Sequence, residues 1–233
     1  ISNIIEFYPL FEAMEKNKVI LSINGEVTDE KVDVFEREKV FIERVLTKII
    51  SNFPNLRIVL EHITSADAVK FIEKHKNIGA TITNHHLMAN RNIMLSKGIR
   101  PDFYCAPILK TEYDRLALVQ AAISGNDKFF LGTDSAPHVN GKKISTCGCA
   151  GIFSSPLAVP LLIQLFEEHS SLGKIEKFMS KNGRAFYGLE QQLDRVRYVK
   201  RSKSINTIKN IKTDIGRITV FNPYNELYWE KIN

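Results

Sequence analysis

The sequence predicts an α/β fold of the barrel type, in which helices cover a parallel sheet. Three observations predict it. Strand-like and helix-like segments alternate through most of the chain. The strand-like runs are short and continuously apolar, as strands buried on both faces are. Four of these runs also end in polar residues, and in parallel α/β folds such ends converge on the active site.

The elements follow from the residues in order. Ile4, Ile5, Phe7, Leu10, Phe11 and Met14 recur at helical spacing and predict an amphipathic helix over 4–16. Residues 18–23 read as the first strand, and 30–50 as a long helix packing through Val34, Phe35, Val40, Phe41, Val45, Leu46 and Ile49. Pro54-Asn55 breaks the chain before a second strand at 57–61. Thr64 or Ser65 can cap a helix that runs to about Lys74. A third strand follows at 79–83, an irregular stretch at 84–110, a helix from Glu112 to Ser124 and a fourth strand at 128–132. A glycine-bearing loop then leads to Pro156, which opens a helix to about His169. A further helix over 172–181 is expected to break at Asn182-Gly183, before a short helix near Ala185. Residues 1–189 thus read as one α/β unit of alternating strands and helices. Residues 190–233 form a C-terminal extension, read as a hairpin of 217–221 and 226–230 around Asn222-Pro-Tyr-Asn225.

The 233 residues are enough for one large α/β domain or two small ones, and apolar (44%) and charged (25%) fractions are those of a globular protein. The net charge of +6 is spread out, and its densest stretch (Arg195 to Lys212) has no repeating aromatic pattern, so nucleic acid is not an expected partner. No apolar run approaches membrane-spanning length, no secretory leader is visible, and three cysteines leave one unpaired, so a reduced, cytoplasmic protein without a membrane partner is expected. The motifs GxxxxGK and GxGxxG are both missing, which leaves nucleotide chemistry without support.

The strand ends carry the chemistry. They read Asn24-Gly25-Glu26, Glu61-His62, Asn84-His85-His86 and Thr133-Asp134. Imidazoles and a carboxylate meeting at one barrel mouth suit Zn²⁺ or a similar ion, and a carboxylate beside both metal and water can take the water's proton. Asp134 is the candidate for that role; its plainer reading is a strand-end residue capping the next turn. His62 is a candidate ligand, or else a buried neutral ring. Of His85 and His86, only one is expected to face the site if the backbone stays extended. His138 is a substrate-binding candidate or an exposed loop histidine. Cys147-Gly-Cys149 is a weak thiolate signal, and its glycines more plausibly let backbone approach a ligand.

Several segments carry a family resemblance: Asn24-Gly-Glu-Val-Thr28, Phe35-Glu-Arg-Glu38, Leu60-Glu-His-Ile-Thr64, His86-Leu-Met88, Asn90-Arg91, Ile99-Arg-Pro101, Tyr104-Cys-Ala-Pro-Ile-Leu-Lys110, Gly132-Thr-Asp-Ser-Ala-Pro-His138 and Cys147-Gly-Cys-Ala-Gly151. Together they resemble bacterial monofunctional dihydroorotase, one of the metal-dependent amidohydrolase barrels, from residue 1 to at least 190. The resemblance implies a TIM-barrel-like metallo-dependent hydrolase that opens the cyclic amide of dihydroorotate and closes carbamoyl aspartate in pyrimidine synthesis. It implies two zinc ions in the complete site, with His62 and Asp134 as ligands and Asp134 as base. It also implies a small anionic substrate held by His138 and the backbone near Ala150, with Asn90 and Arg91 around the pocket.

Two departures stand out. Asn24 occupies the position of a family histidine ligand, and an amide oxygen is a poorer Zn²⁺ ligand than imidazole. The family's first four barrel strands, with their HxH histidines, carbamylated lysine and carboxylate-gripping arginine and asparagine, have no counterpart here. The chain therefore reads as the second half of the barrel, a reading with which an initial Ile1 agrees. Open sheet edges and an uncovered apolar face call for a partner, either a second copy in a homodimer or a missing N-terminal half. The expected function is that of a dihydroorotase portion inactive by itself. The alternative is a degenerate, non-catalytic dihydroorotase-like scaffold.

Overall fold

The computed structural model describes residues 4–146, 148–190 and 194–232. Four strands, β1 (Leu21–Asn24), β2 (Ile58–Glu61), β3 (Ile78–Ile82) and β4 (Phe129–Leu131), pair in parallel in the order β1-β2-β3-β4. The order equals the chain order, and a helix lies between each strand and the next, as barrel-type βα repetition requires.

The sheet has two different faces. Leu21, Ile23, Ile58, Leu60, Ile78, Ala80, Ile82, Phe129 and Leu131 point one way and pack with the helices into the main core. The register places Asn24, Glu61 and Thr81 in one row, and Phe130 opposite Thr81, on the other face. Beside that row the face is closed by aromatic rings. Phe130 lies 5.7 Å from Phe186 and 5.8 Å from Tyr187, and Arg57 stacks 4.8 Å over the Phe186 ring.

The helices are α1 (Tyr8–Lys16), α2 (Arg37–Phe41), α3 (Thr47–Asn52), α4 (Ala66–Lys74), α5 (Asn84–Met88), α6 (Arg91–Leu95), α7 (Glu112–Ser124), α8 (Asn140–Lys143), α9 (Ala158–Glu168) and α10 (Asn182–Tyr187). A π-helical turn, Ile42–Leu46, joins α2 to α3 into one continuous rod. α7 begins at a capping box made by Thr111 and Asp114 and ends at Gly125 in the left-handed region, as strong terminators dictate. Ser65, not Thr64, caps α4 by accepting from Ala68 N.

Several expectations are corrected. The helix predicted over 30–50 begins only at Arg37, because Asp29 and Asp33 accept from Lys31 N and Phe35 N and hold the preceding residues in turns. The stretch 84–110 is not irregular throughout: Thr83 and Asn90 cap α5 and α6. Asn182-Gly183 does not break the helix: a π-helical turn, Lys177–Lys181, runs directly into α10. Asn182 Nδ2 donates to Asn126 O and Phe129 O, both at 2.9 Å, and Gly183 packs against the Phe130 ring, so the helix passes through both. The two C-terminal strands do not pair with each other. β7 (Gly216–Thr219) pairs with β6 (Asn210–Thr213), and β8 (Trp229–Ile232) pairs with β5 (Arg197–Lys200), both antiparallel. Val220, Phe221 and Leu227 between them enter a second core with Ala89, Met94, Phe103, Cys105, Leu109, Ile152, Leu157 and Leu161. That burial pulls 220–227 away from a tight hairpin. Among the described residues, no helix is long and apolar enough to cross a membrane.

Candidate functional site

The C-terminal edge of the sheet collects Asn24, Glu61, His62 and Asp134. Asn24 ends β1 in register with Glu61, and its side chain is exposed. His62 and Asp134 immediately follow β2 and β4 in sequence or within a few residues, and both are held at positive φ, 40° and 39°. Left-handed backbone is uncommon for residues other than glycine, and its appearance at both predicted ligands marks positions fixed by their surroundings.

Those surroundings are visible. Thr81 on β3 lies between the two strands; its Oγ1 accepts from His62 N at 2.6 Å and donates to Glu61 Oε2 at 2.6 Å. Ser22 on β1 donates to the other Glu61 oxygen. Gly132 brings β4 against Thr81 so closely that a Cβ there would lie 2.6 Å from the threonine Cβ. With these bonds made, His62 Nδ1 remains buried without a hydrogen-bond partner. Asp134 is in electrostatic contact with His62. Partial desolvation pushes its carboxyl above the usual range, the His62 charge opposes that, and Glu61 adds to it. An orphaned imidazole nitrogen beside a carboxylate whose backbone is constrained fits a metal ion. The amide of Asn24 is the remaining donor in the row.

The predicted substrate residues fall on the adjoining loop. His138 Nε2 donates to Ala150 O at 3.0 Å, so these two are brought together. Gly151 (φ 147°) makes this possible: a Cβ there would lie 2.8 Å from Ala136 O and 2.9 Å from the His138 ring. Lys143, which sequence reading missed, holds the loop from behind. Its buried ammonium donates to Tyr104 O (3.1 Å), Cys149 O (3.2 Å) and Gly151 O (2.5 Å). A lysine in a loop reads as solvated, and nothing in its sequence context signalled otherwise. Cys147 lies outside the described residues, while Cys149 is a free thiol.

Asn90 and Arg91 are occupied structurally. Asn90 Oδ1 accepts from Asn92 N and its Nδ2 donates to Glu112 Oε2 at 2.7 Å. Arg91 stacks 5.1 Å over the Phe35 ring, and its N–H donates to Lys110 O. Both His85 and His86 are buried, because the backbone there is helical rather than extended. Sequence reading also missed Glu38. Fully buried, it accepts from Thr64 N (2.8 Å), Thr64 Oγ1 (3.0 Å) and Ser65 Oγ (2.5 Å), and so fixes the segment just after His62. Desolvation raises its pKa against those bonds and the nearby Lys110 charge.

No protein-family profile matches the chain. Curated relatives do. The chain is 50% identical over 206 residues to the dihydroorotase of Shewanella oneidensis, covering 88% of this chain and 60% of that protein. It is 46% identical over 231 residues to the dihydroorotase of Chelativorans sp., covering 99% of this chain and 67% of that one. Among solved structures, dihydroorotase from Saccharomyces cerevisiae in complex with 5-fluoroorotic acid superposes with a TM-score of 0.86 at 33% identity, covering 99% of this chain and 68% of that one. The chain thus spans about 60–67% of the length of the curated relatives it matches.

Proposed function

Because the chain belongs to the dihydroorotase family, we propose that it supplies part of the metal site and the substrate loop of an enzyme hydrolysing the cyclic amide of dihydroorotate. The observation that carries this reading is the buried, unpartnered His62 Nδ1 beside Asp134 at the sheet edge. His62 and Asp134 would hold zinc, with Asn24 as a weak third donor where the family resemblance puts a histidine. Such an ion, when bound, acidifies water and polarises the amide carbonyl. Asp134 accepts the proton of the attacking water on its carboxylate and returns it to the leaving amide nitrogen as the ring C–N bond breaks. His138 and the backbone near Ala150 hold the substrate, and their mutual hydrogen bond fixes the spacing between them. Lys143 keeps that loop in place and contributes positive charge behind an anionic ligand. In this reading Asn90 and Arg91 shape the pocket wall. Free Cys105 and Cys149 suit a cytoplasmic setting.

Two firm ligands and one weak one fall short of what a catalytic zinc site needs. The remaining donors must come from other strands or another polypeptide, either an N-terminal barrel half or a second copy in a homodimer. The 233-residue chain alone is therefore expected to show no dihydroorotate turnover, and Asn24→His alone is expected not to restore it. Turnover by the isolated chain in a coupled hydrolysis assay would overturn this part of the reading. A second reading, a non-catalytic dihydroorotase-like scaffold, is favoured by one observation, the amide at Asn24. It predicts that no complementing half restores turnover even with histidine at that position.

A further inference from the structure

Behind the substrate loop, within electrostatic reach of His62 and Asp134 but not including them, three ligand atoms converge in the second core. One donor atom each from His85, His86 and Cys105 lies within 4.8 Å of the others, and all three residues are buried. His86 Nε2 and Cys105 Sγ are 3.9 Å apart and both aim at Pro107 O, at 3.0 and 3.2 Å. His85 completes the group. It is wholly buried, its ring packs 4.6 Å from His86 and 6.3 Å from Phe221, and neither of its nitrogens has a hydrogen-bond partner. Burying a polar ring with both nitrogens unsatisfied is costly, and a ligand on one of them would offset that cost.

We infer that His85, His86 and Cys105 form a second metal site, selective for a thiophilic closed-shell ion such as Zn²⁺ or Cu⁺. Two nitrogens and one sulfur are the donor set such ions prefer. The support that orients a metal-bound imidazole is already in place: His86 Nδ1 lies 2.8 Å from Thr83 Oγ1, itself buried. The Cys105 thiol gives up its proton to solvent, and its sulfur exchanges a hydrogen bond to Pro107 O for a bond to the ion. His86 moves its proton from Nε2 to Nδ1, where Thr83 accepts it, and His85 binds through one neutral nitrogen. One proton leaves per ion. Unloaded, the thiol resists ionisation: burial pushes its pKa up to about 12, although Lys143 and Lys110 nearby oppose that. The same two ammonium groups favour the thiolate once an ion has formed it, and a singly charged ion most.

The test is cadmium titration of the chelator-treated 233-residue chain, following the ultraviolet thiolate-to-cadmium charge-transfer band and the protons released. The expected result is one ion per chain carrying the band, with about one proton released. The band should persist in His62→Ala, Asp134→Asn, Cys147→Ser and Cys149→Ser and vanish in Cys105→Ser. In His85→Gln, affinity should fall at least about tenfold, the order that loss of a supporting group alone produces. Circular dichroism checks that each variant is folded, and X-ray absorption of the loaded wild-type chain should show one sulfur and two nitrogen neighbours. A band that survives Cys105→Ser, or unchanged affinity in folded His85→Gln, would overturn the proposal. Loss of the band in His62→Ala with retention in Cys105→Ser would assign the ion to the other site.

Discussion

Replacing Lys143 by methionine tests how the substrate loop is held. The side chain keeps much of its length but loses every donor. Tyr104 O retains its bond from Gly151 N at 2.9 Å, so that carbonyl stays satisfied. Cys149 O and Gly151 O lose the ammonium at 3.2 and 2.5 Å. A hydrogen bond to a charged group contributes about 1.5–3 kcal/mol, and a buried carbonyl left bare costs about 1–3 kcal/mol. Against this, methionine removes the burden of a desolvated cation, whose presence is seen in the lowered Lys143 pKa. The balance is a loss of about 2–4 kcal/mol. Urea unfolding of wild type and Lys143→Met measures it, with the midpoint falling by about 1 M or more at unchanged slope. Hydrogen exchange at Gly148 to Gly151 should quicken ahead of the rest of the chain. A variant within about 0.5 kcal/mol of wild type would refute the staple. A more stable variant would refute it more strongly, since it would mean the buried charge is a net cost.

Three further outcomes follow from the same geometry. Burial, opposed by the Pro107 bond, lowers the His86 pKa to about 3 from 6.5, so on acidification the unfolded chain takes the proton first. The stability His86 contributes is complete above about pH 6.5 and is lost as pH falls toward 3, about 2–3 kcal/mol of it by pH 4.5. Glu38, with its raised pKa, works in the opposite sense, so the check is the difference in pH slope between wild type and His86→Gln in chelator, in which Glu38 cancels. Gly151→Ala should cost about 2–5 kcal/mol from strain at positive φ and overlap with Ala136 and His138, whereas Gly141→Ala, helical and with nothing within 4 Å, should be neutral or stabilise by up to about 1 kcal/mol in the same melt. Gly132→Ala should disturb the His62 resonance by pushing Thr81 aside; an unchanged His62 spectrum would contradict the packing described.

Much of this was legible in the residues. Strands β2, β3 and β4 announced themselves as short apolar runs closed by His62, Thr83 and Asp134, because a buried strand leaves little room for polar residues except at its ends, whereas β1 departs from the expected burial on both faces and alternates, with Ser22 and Asn24 exposed. Helix α7 was legible for a local reason, since Thr111, Asp114 and Gly125 lie within or beside it. Where reading failed, the deciding contact was distant in sequence. Asn182 looks like a breaker until its side chain is seen bonded to β4, and the partners of β7 and β8 are set by burial of Phe221 and Leu227. His62, Asp134, His138 and Ala150 could be put forward as candidates from their positions at or after strand ends and from the resemblance. The roles of Lys143, Glu38 and His85 could not, because a charged or imidazole side chain gives no sign in sequence that it is buried among carbonyls, hydroxyls or rings.

The central claim is that this chain carries the base and the substrate loop of a dihydroorotase barrel. The most direct test joins it to the N-terminal portion of the Chelativorans relative, to which it is 46% identical, and measures dihydroorotate hydrolysis by the zinc-loaded fusion. With Asn24→His in place, the account predicts turnover that falls at least about a hundredfold on Asp134→Asn, the usual scale for a general base. A folded, zinc-loaded fusion with Asn24→His that shows no turnover, or one whose rate is indifferent to Asp134, would contradict it.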